Sequence, residues 1–155
     1  MLGFVGAMLA SVAYYFGTQK ADTPDEDSWK RMGKAAFSLH GIRIYTVIGE
    51  IFYVMLNKIY ENQYVHGHVS DDLPFGYVFA AFWVGQEGCF LLWMFLHVVL
   101  GFVLMRVGKK WEAPTMSVLS LIQVLLNSML LGIYIGFGDD PLKIGSNPTL
   151  LLREV

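Results

Sequence analysis

The chain has 155 residues, of which 55% are hydrophobic and 15% are charged, and its formal net charge is −2. Soluble domains usually carry about a quarter charged residues, so this composition indicates a membrane protein. No run of five basic residues occurs, which argues against nucleic acid as a partner. The single cysteine, Cys89, excludes a disulfide within the chain.

Four apolar stretches are candidates for crossing a bilayer, which takes roughly 20 mostly apolar residues. They cover residues 2–17, 35–57, 75–107 and 115–137. We therefore predict an all-α, polytopic transmembrane helical bundle of about four spans in residues 1–137, followed by an irregular external tail of residues 138–155. The first stretch lacks the basic start of a signal peptide, so we expect it to be retained as a short span.

The charges between the stretches predict the orientation. The first and third connections are rich in basic residues, whereas the second contains one, Lys58. Basic loops tend to stay on the cytoplasmic side of a membrane. We therefore expect the second connection, the N-terminus and the C-terminus to lie outside.

Carboxylates within the predicted spans are candidates for a functional role, because a charge inside a membrane is costly unless it is paired or contacts water. Glu50 lies in the second span, and we expect Gln123 or Asn127 of the fourth span to meet it. Glu87 lies in the third span, roughly 20 Å along a helix that starts near Pro74. A hydrogen bond to a neighbouring helix and a ligand-facing role are both open for Glu87.

Four histidines raise the question of haem or metal binding. His66 and His68 form an H-x-H in the external connection, a pattern that offers imidazoles but lacks a third ligand, so a solvated loop is the simpler interpretation. His40 and His97 lie toward the same side of the membrane, and interhelical hydrogen bonds or axial ligation are both open for them. We predict no metal site, and motifs for phosphate loops, zinc proteases and serine hydrolases do not occur.

One stretch resembles a family signature. Its matching residues are Trp83, Gly85, Gln86, Glu87, Gly88, Leu92 and Trp93. They are similar to the W-x-G-Q-E-G-S-x-L-L-W signature of CcmF/CcsA-type cytochrome c maturation proteins, with Cys89 where the family usually has serine. The preceding residues Tyr64, Val65, His68, Leu73, Pro74 and Tyr77 resemble the family's external loop, and residues 110–114 and 144–148 resemble later parts of its bacterial CcsA-like branch.

The resemblance implies a multi-pass protein of the bacterial inner membrane that handles haem at the outer face. Such a protein helps attach haem to the Cys-Xaa-Xaa-Cys-His site of apocytochrome c, together with other maturation factors. The family's tryptophan-rich haem-handling segment has no counterpart here, since the sequence contains no Trp-Trp pair. The family's haem-ligand histidines therefore cannot be carried onto this chain.

We accordingly expect haem to be bound by a whole protein of which this chain is the N-terminal portion, completed by a downstream half or a split partner. Alone, the chain is not expected to be an active haem lyase. Its candidate haem-facing groups are His68, Glu87 and His97. Two alternatives stay open: a small electron-transfer subunit that binds haem b or quinone itself, and a non-catalytic helical scaffold.

Overall fold

The computed structural model describes residues 1–70, 72, 74–131, 133–135 and 142–144. The elements within these residues are, in chain order, α1 (Leu2–Gln19), α2 (Glu26–Leu56), α3 (Gln63–His68), α4 (Phe75–Ala81), α5 (Gln86–Val107), α6 (Glu112–Leu130), β1 (Ile133–Ile135) and β2 (Leu142–Ile144). A short 3-10 turn, Lys109–Trp111, joins α5 to α6.

Three segments are long and apolar enough to cross a membrane: Glu26–Leu56, Gln86–Val107 and Lys109–Leu130. They confirm the predicted class, a helical membrane bundle. Helix α1 has 18 residues and corresponds to the predicted first span. It is not among these three segments, so its crossing stays a prediction, as does the external position of both termini.

The predicted third span, residues 75–107, is divided into two helices. Helix α4 ends at Ala81, residues 82–85 form a turn, and α5 begins at Gln86. Glu87 therefore lies in the first turn of α5, and its predicted position roughly 20 Å along a single helix is wrong. The second connection also differs from a plain loop, because it contains α3.

The predicted fourth span, residues 115–137, ends earlier than expected. Helix α6 stops at Leu130, and β1 pairs antiparallel with β2, with Ile133 opposite Ile144. The Ile-Tyr-Ile sequence of β1 consists of β-branched and aromatic residues, which favour an extended chain. Apart from β2, the predicted irregular tail of residues 138–155 lies outside the described residues.

The chain forms two compact units. The first comprises Met1–Ile44 and Met94–Asn127, and in it α1 packs through a face of small residues. A Cβ added at Gly6 would lie 3.2 Å from the backbone oxygen of Ala36 and the backbone nitrogen of His40. Small residues allow helix backbones in membranes to approach this closely, so Gly6 fixes α1 against α2.

Polar and glycine contacts hold the other helices of this first unit. Gly101 of α5 receives the ring of Phe37 from α2. The side-chain amide of Gln123 donates to the carbonyl of Met94 at 2.8 Å, which ties α6 to α5. Both residues are fully buried, so this hydrogen bond satisfies groups that lipid cannot.

The second unit comprises Tyr45–Trp93 and Ser128–Val155. Aromatic stacking positions α4 in it: the ring of Phe52 on α2 lies 5.3 Å from that of Phe79 and 4.5 Å from that of Phe82. Ile51 and Met55, on the same stretch of α2, are buried. This packing places the end of α4, and hence the break at residues 82–85, beside α2.

Candidate functional site

The candidate site is built on the short helix α3. The Asn62 side chain caps this helix by accepting from the backbone N–H groups of Tyr64 and Val65, at 2.9 and 3.4 Å. Tyr64 and His68 are four residues apart, so they lie on the same face of the helix. Their rings stack with centroids 4.4 Å apart, and this face is the one that contacts the family-like segment.

Two glycines of the signature lie directly under that face. A Cβ at Gly85 would lie 2.8 Å from Tyr64 Cε2 and 3.0 Å from His68 Nε2. A Cβ at Gly88 would overlap the carbonyl oxygen of Phe82 and would lie 2.7 Å from the Tyr64 hydroxyl. Both positions therefore require the absence of a side chain. The approach of α3 is the physical reason at Gly85, and the Phe82 carbonyl together with the Tyr64 hydroxyl is the reason at Gly88.

Side chains satisfy the carbonyl groups that the break between α4 and α5 leaves without a regular helical partner. In an uninterrupted helix each carbonyl accepts from the N–H four residues later. Here the Tyr64 hydroxyl donates to the Phe82 carbonyl, and Cys89 Sγ donates to the Trp83 carbonyl at 3.1 Å. A serine hydroxyl at this position could donate in the same way.

The electrostatics of the site keep Tyr64 neutral. Burial, reinforced by the negative charge of Glu87, raises the pKa of Tyr64 to about 12. Glu87 itself is half-buried in the first turn of α5, where the helix dipole favours a carboxylate. The site thus presents a protonated phenol beside an acidic group at a helix N-terminus.

The other signature residues point in several directions. Trp83 is half-buried, and its ring lies 4.8 Å from that of Phe79. Leu92 is also half-buried, whereas Gln86 and Trp93 are exposed, Trp93 by 61%. The two glycines therefore fix the break, whereas the side chains of Gln86 and Trp93 can contact molecules outside the chain.

The two histidines of the H-x-H motif do not act together. His66 is exposed, and residues two apart on a helix do not face each other. His68 Nδ1 lies 2.8 Å from the Tyr64 carbonyl oxygen and donates to it. Its Nε2 would lie 3.0 Å from a Cβ at Gly85, so this edge of the ring faces Gly85.

The two other histidines lie in the first unit, whereas His68 and Glu87 belong to the second. His40 is fully buried, and its Nδ1 lies 2.8 Å from the Gly3 carbonyl oxygen. His97 Nδ1 is buried and has no hydrogen-bond partner among the described residues.

No group of three or more His, Cys, Asp or Glu side chains in the part of the chain that the structure describes is placed to hold a metal ion. Glu50 is exposed, and the Gln123 amide donates to the Met94 carbonyl. The predicted contact of Glu50 with Gln123 or Asn127 therefore stays a prediction.

Sequence reasoning identified the signature residues but missed the group that contacts them. Tyr64 was singled out only because its segment resembles the family. No feature of the sequence predicted that its hydroxyl donates to the Phe82 carbonyl. The pair Gly85 and Gly88 inside an apolar stretch was the signal for a break or a close approach.

Comparison with known protein families, curated proteins and solved structures found no match to this chain.

Proposed function

We propose that this membrane protein takes part in the maturation of c-type cytochromes, handling haem for its attachment to apocytochrome c at the outer face of the bacterial inner membrane. One observation supports the proposal above the others. The two segments that carry the family resemblance, around Tyr64 and around Gly85, are distant in sequence and meet in one site. If the resemblance of one segment were due to chance, the other segment would not be expected to pack against it.

In this proposal the site acts as a rigid positioning element. Helix α3, the turn at residues 82–85 and the first turn of α5 are joined by hydrogen bonds and by ring-to-glycine contacts. Helix α4, held by this element, carries exposed aromatic side chains at Phe75 and Tyr77. Exposed aromatic groups of this kind are typical of membrane interfaces and of binding surfaces. The partners we propose are apocytochrome c, other maturation factors and the protein region that carries the haem ligands.

Haem ligation is proposed for a downstream half or a split partner, because the family's haem-ligand histidines cannot be carried onto His40, His66, His68 or His97. The chain's own contribution is positional, through Glu87 and Tyr64 at the break. We therefore propose no lyase step on this chain's residues. The chemistry of thioether formation would belong to the assembled machinery.

The proposal is tested by deleting the gene in the organism that encodes it and staining membrane proteins for covalently bound haem. Loss of c-type cytochromes, restored by the wild-type gene, is the expected result. Glu87→Gln should restore them poorly at an equal membrane level, because the carboxylate is lost while the side-chain size is kept. Glu61→Gln, a change at an exposed glutamate, is the matched control and should restore them fully.

Unchanged c-type cytochromes after deletion would refute the maturation role. The electron-transfer alternative is separated by the absorbance spectrum of the chain purified in detergent. A stoichiometric bis-histidine haem that disappears on His97→Ala would favour that alternative. If the deletion has no effect and the purified chain has no haem, the scaffold alternative is favoured.

A further inference from the structure

A cavity of about 210 Å³ lies in the first unit. It is located where α1 ends and where α2 and the segment Lys109–Leu130 begin. Residues that line it include Gly17, Asp22, Glu26, Lys110, Trp111 and Pro114. Pockets for drug-sized molecules and cofactors usually measure about 300–1,000 Å³, so this cavity suits a small polar group rather than haem.

The cavity lies at the expected level of a membrane surface. Two of the three membrane-crossing segments begin beside it, at Glu26 and at Lys109. Trp111 in its wall is 75% exposed, and tryptophan with neighbouring lysine is typical of the boundary between headgroups and acyl chains. A lipid could therefore place its headgroup in the cavity and leave its tails in the bilayer.

The lining carries both signs of charge, with the acidic groups in excess. One carboxylate oxygen of Glu26 forms an ion pair with Lys30 Nζ at 2.5 Å. The other accepts a hydrogen bond from the backbone N–H of Asp22 at 2.8 Å. Asp22 has a positive φ of 64°, a conformation that aspartate tolerates better than most residues. This turn brings the Asp22 N–H to Glu26, and Asp22 is one of the residues that line the cavity.

Lys110 supplies the positive charge of the lining. Within the described residues, neither the Asp22 carboxylate nor the Lys110 ammonium belongs to an ion pair. A ligand with one anionic and one cationic group would complement both. An anionic lipid would meet Lys110 but would be repelled by Asp22 and Glu26.

We propose that this cavity binds the headgroup of a zwitterionic aminophospholipid, phosphatidylethanolamine. Its phosphate lies against Lys110, and its ammonium lies against Asp22 and Glu26. An ammonium N–H makes charge-assisted hydrogen bonds to carboxylates, and the trimethylammonium of phosphatidylcholine has no N–H to donate. The cavity thus selects against phosphatidylcholine by hydrogen bonding and against phosphatidylglycerol by charge.

The test is native mass spectrometry of the full chain in detergent, titrated separately with phosphatidylethanolamine, phosphatidylcholine and phosphatidylglycerol. We expect phosphatidylethanolamine to be retained about tenfold more strongly than either other lipid, the effect of about one charge-assisted hydrogen bond. Lys110→Ala and Asp22→Asn should each remove most of this preference. Lys109→Ala and Asp27→Asn change adjacent charges outside the cavity, and they should keep it.

Three results would overturn the proposal. Equal retention of the three lipids would mean that the cavity has no headgroup selectivity. Full preference in Lys110→Ala and Asp22→Asn would place the lipid elsewhere. Binding of soluble phosphoethanolamine as strongly as the lipid would identify a soluble metabolite as the ligand.

Discussion

Replacing Gly88 with alanine tests the packing on which the candidate site depends. The new Cβ would overlap the Phe82 carbonyl oxygen and press on the Tyr64 hydroxyl that donates to it. Overpacking of a tight core costs roughly 1–3 kcal/mol, and the lost hydrogen bond adds about 1 kcal/mol. Alanine recovers about 1 kcal/mol of helix propensity, so we expect a net loss of about 1–3 kcal/mol.

Other glycines of the same unit provide graded controls. At Gly85 the nearest atoms belong to the side chains of Tyr64 and His68, which can shift more easily than backbone, so alanine should cost less there. At Gly76 no heavy atom lies within 4 Å of an added Cβ. Gly76→Ala should therefore leave stability unchanged or raise it by less than about 1 kcal/mol.

The measurement is thermal unfolding in detergent, followed by tryptophan fluorescence and by circular dichroism. For a chain of this size 1 kcal/mol corresponds to about 2–4 °C, so Gly88→Ala should lower Tm by about 2–12 °C. Tm should be highest for Gly76→Ala, lower for Gly85→Ala and lowest for Gly88→Ala. A Tm for Gly88→Ala within about 1 °C of that for Gly76→Ala would refute the close packing of Gly88 against the Phe82 carbonyl and the Tyr64 hydroxyl.

Three further predictions concern single contacts. Tyr64 should ionise near pH 12, above exposed tyrosines at about 10, and Glu87→Gln should lower this midpoint because a repelling charge is removed. Since the pKa is raised on folding, the stability that Tyr64 contributes is complete below about pH 10 and is lost as pH rises through 12. Cys89→Ser should be tolerated, because a hydroxyl can donate to the same carbonyl, whereas alanine at this position should cost about 1 kcal/mol. Lys34→Met should destabilise by about 1–3 kcal/mol, because it leaves the buried Glu112 carboxylate without the ammonium 3.1 Å away.

Each of these has its own measurement. Difference absorbance of phenolate during a pH titration follows Tyr64, and an unchanged midpoint in Glu87→Gln would contradict the proposed coupling. Thermal unfolding compares the two replacements of Cys89, and equal Tm values would mean that its hydrogen bond is unimportant. Adding Glu112→Gln to Lys34→Met should recover stability, and further loss in the double variant would show that charge pairing is not the cause.

The amino-acid sequence alone determined the class of this protein, a helical membrane bundle. Hydrophobic burial in lipid requires long apolar helices whose backbone groups are satisfied internally, and this requirement is visible in composition and in the length of the apolar stretches. The sequence also identified Gly85 and Gly88 as part of an unusual segment. It did not reveal which group approaches either glycine.

Only the tertiary structure decided where the third apolar stretch breaks and which groups meet at the break. Hydropathy is nearly uniform across residues 75–107, so it predicts one long helix. The break is stabilised by Tyr64, whose hydroxyl reaches a carbonyl 18 residues further along the chain. Such a contact depends on the folding of the intervening chain, which local periodicity does not encode. For the same reason, Asp22 and Lys110 line one cavity only after the helix ends have packed together.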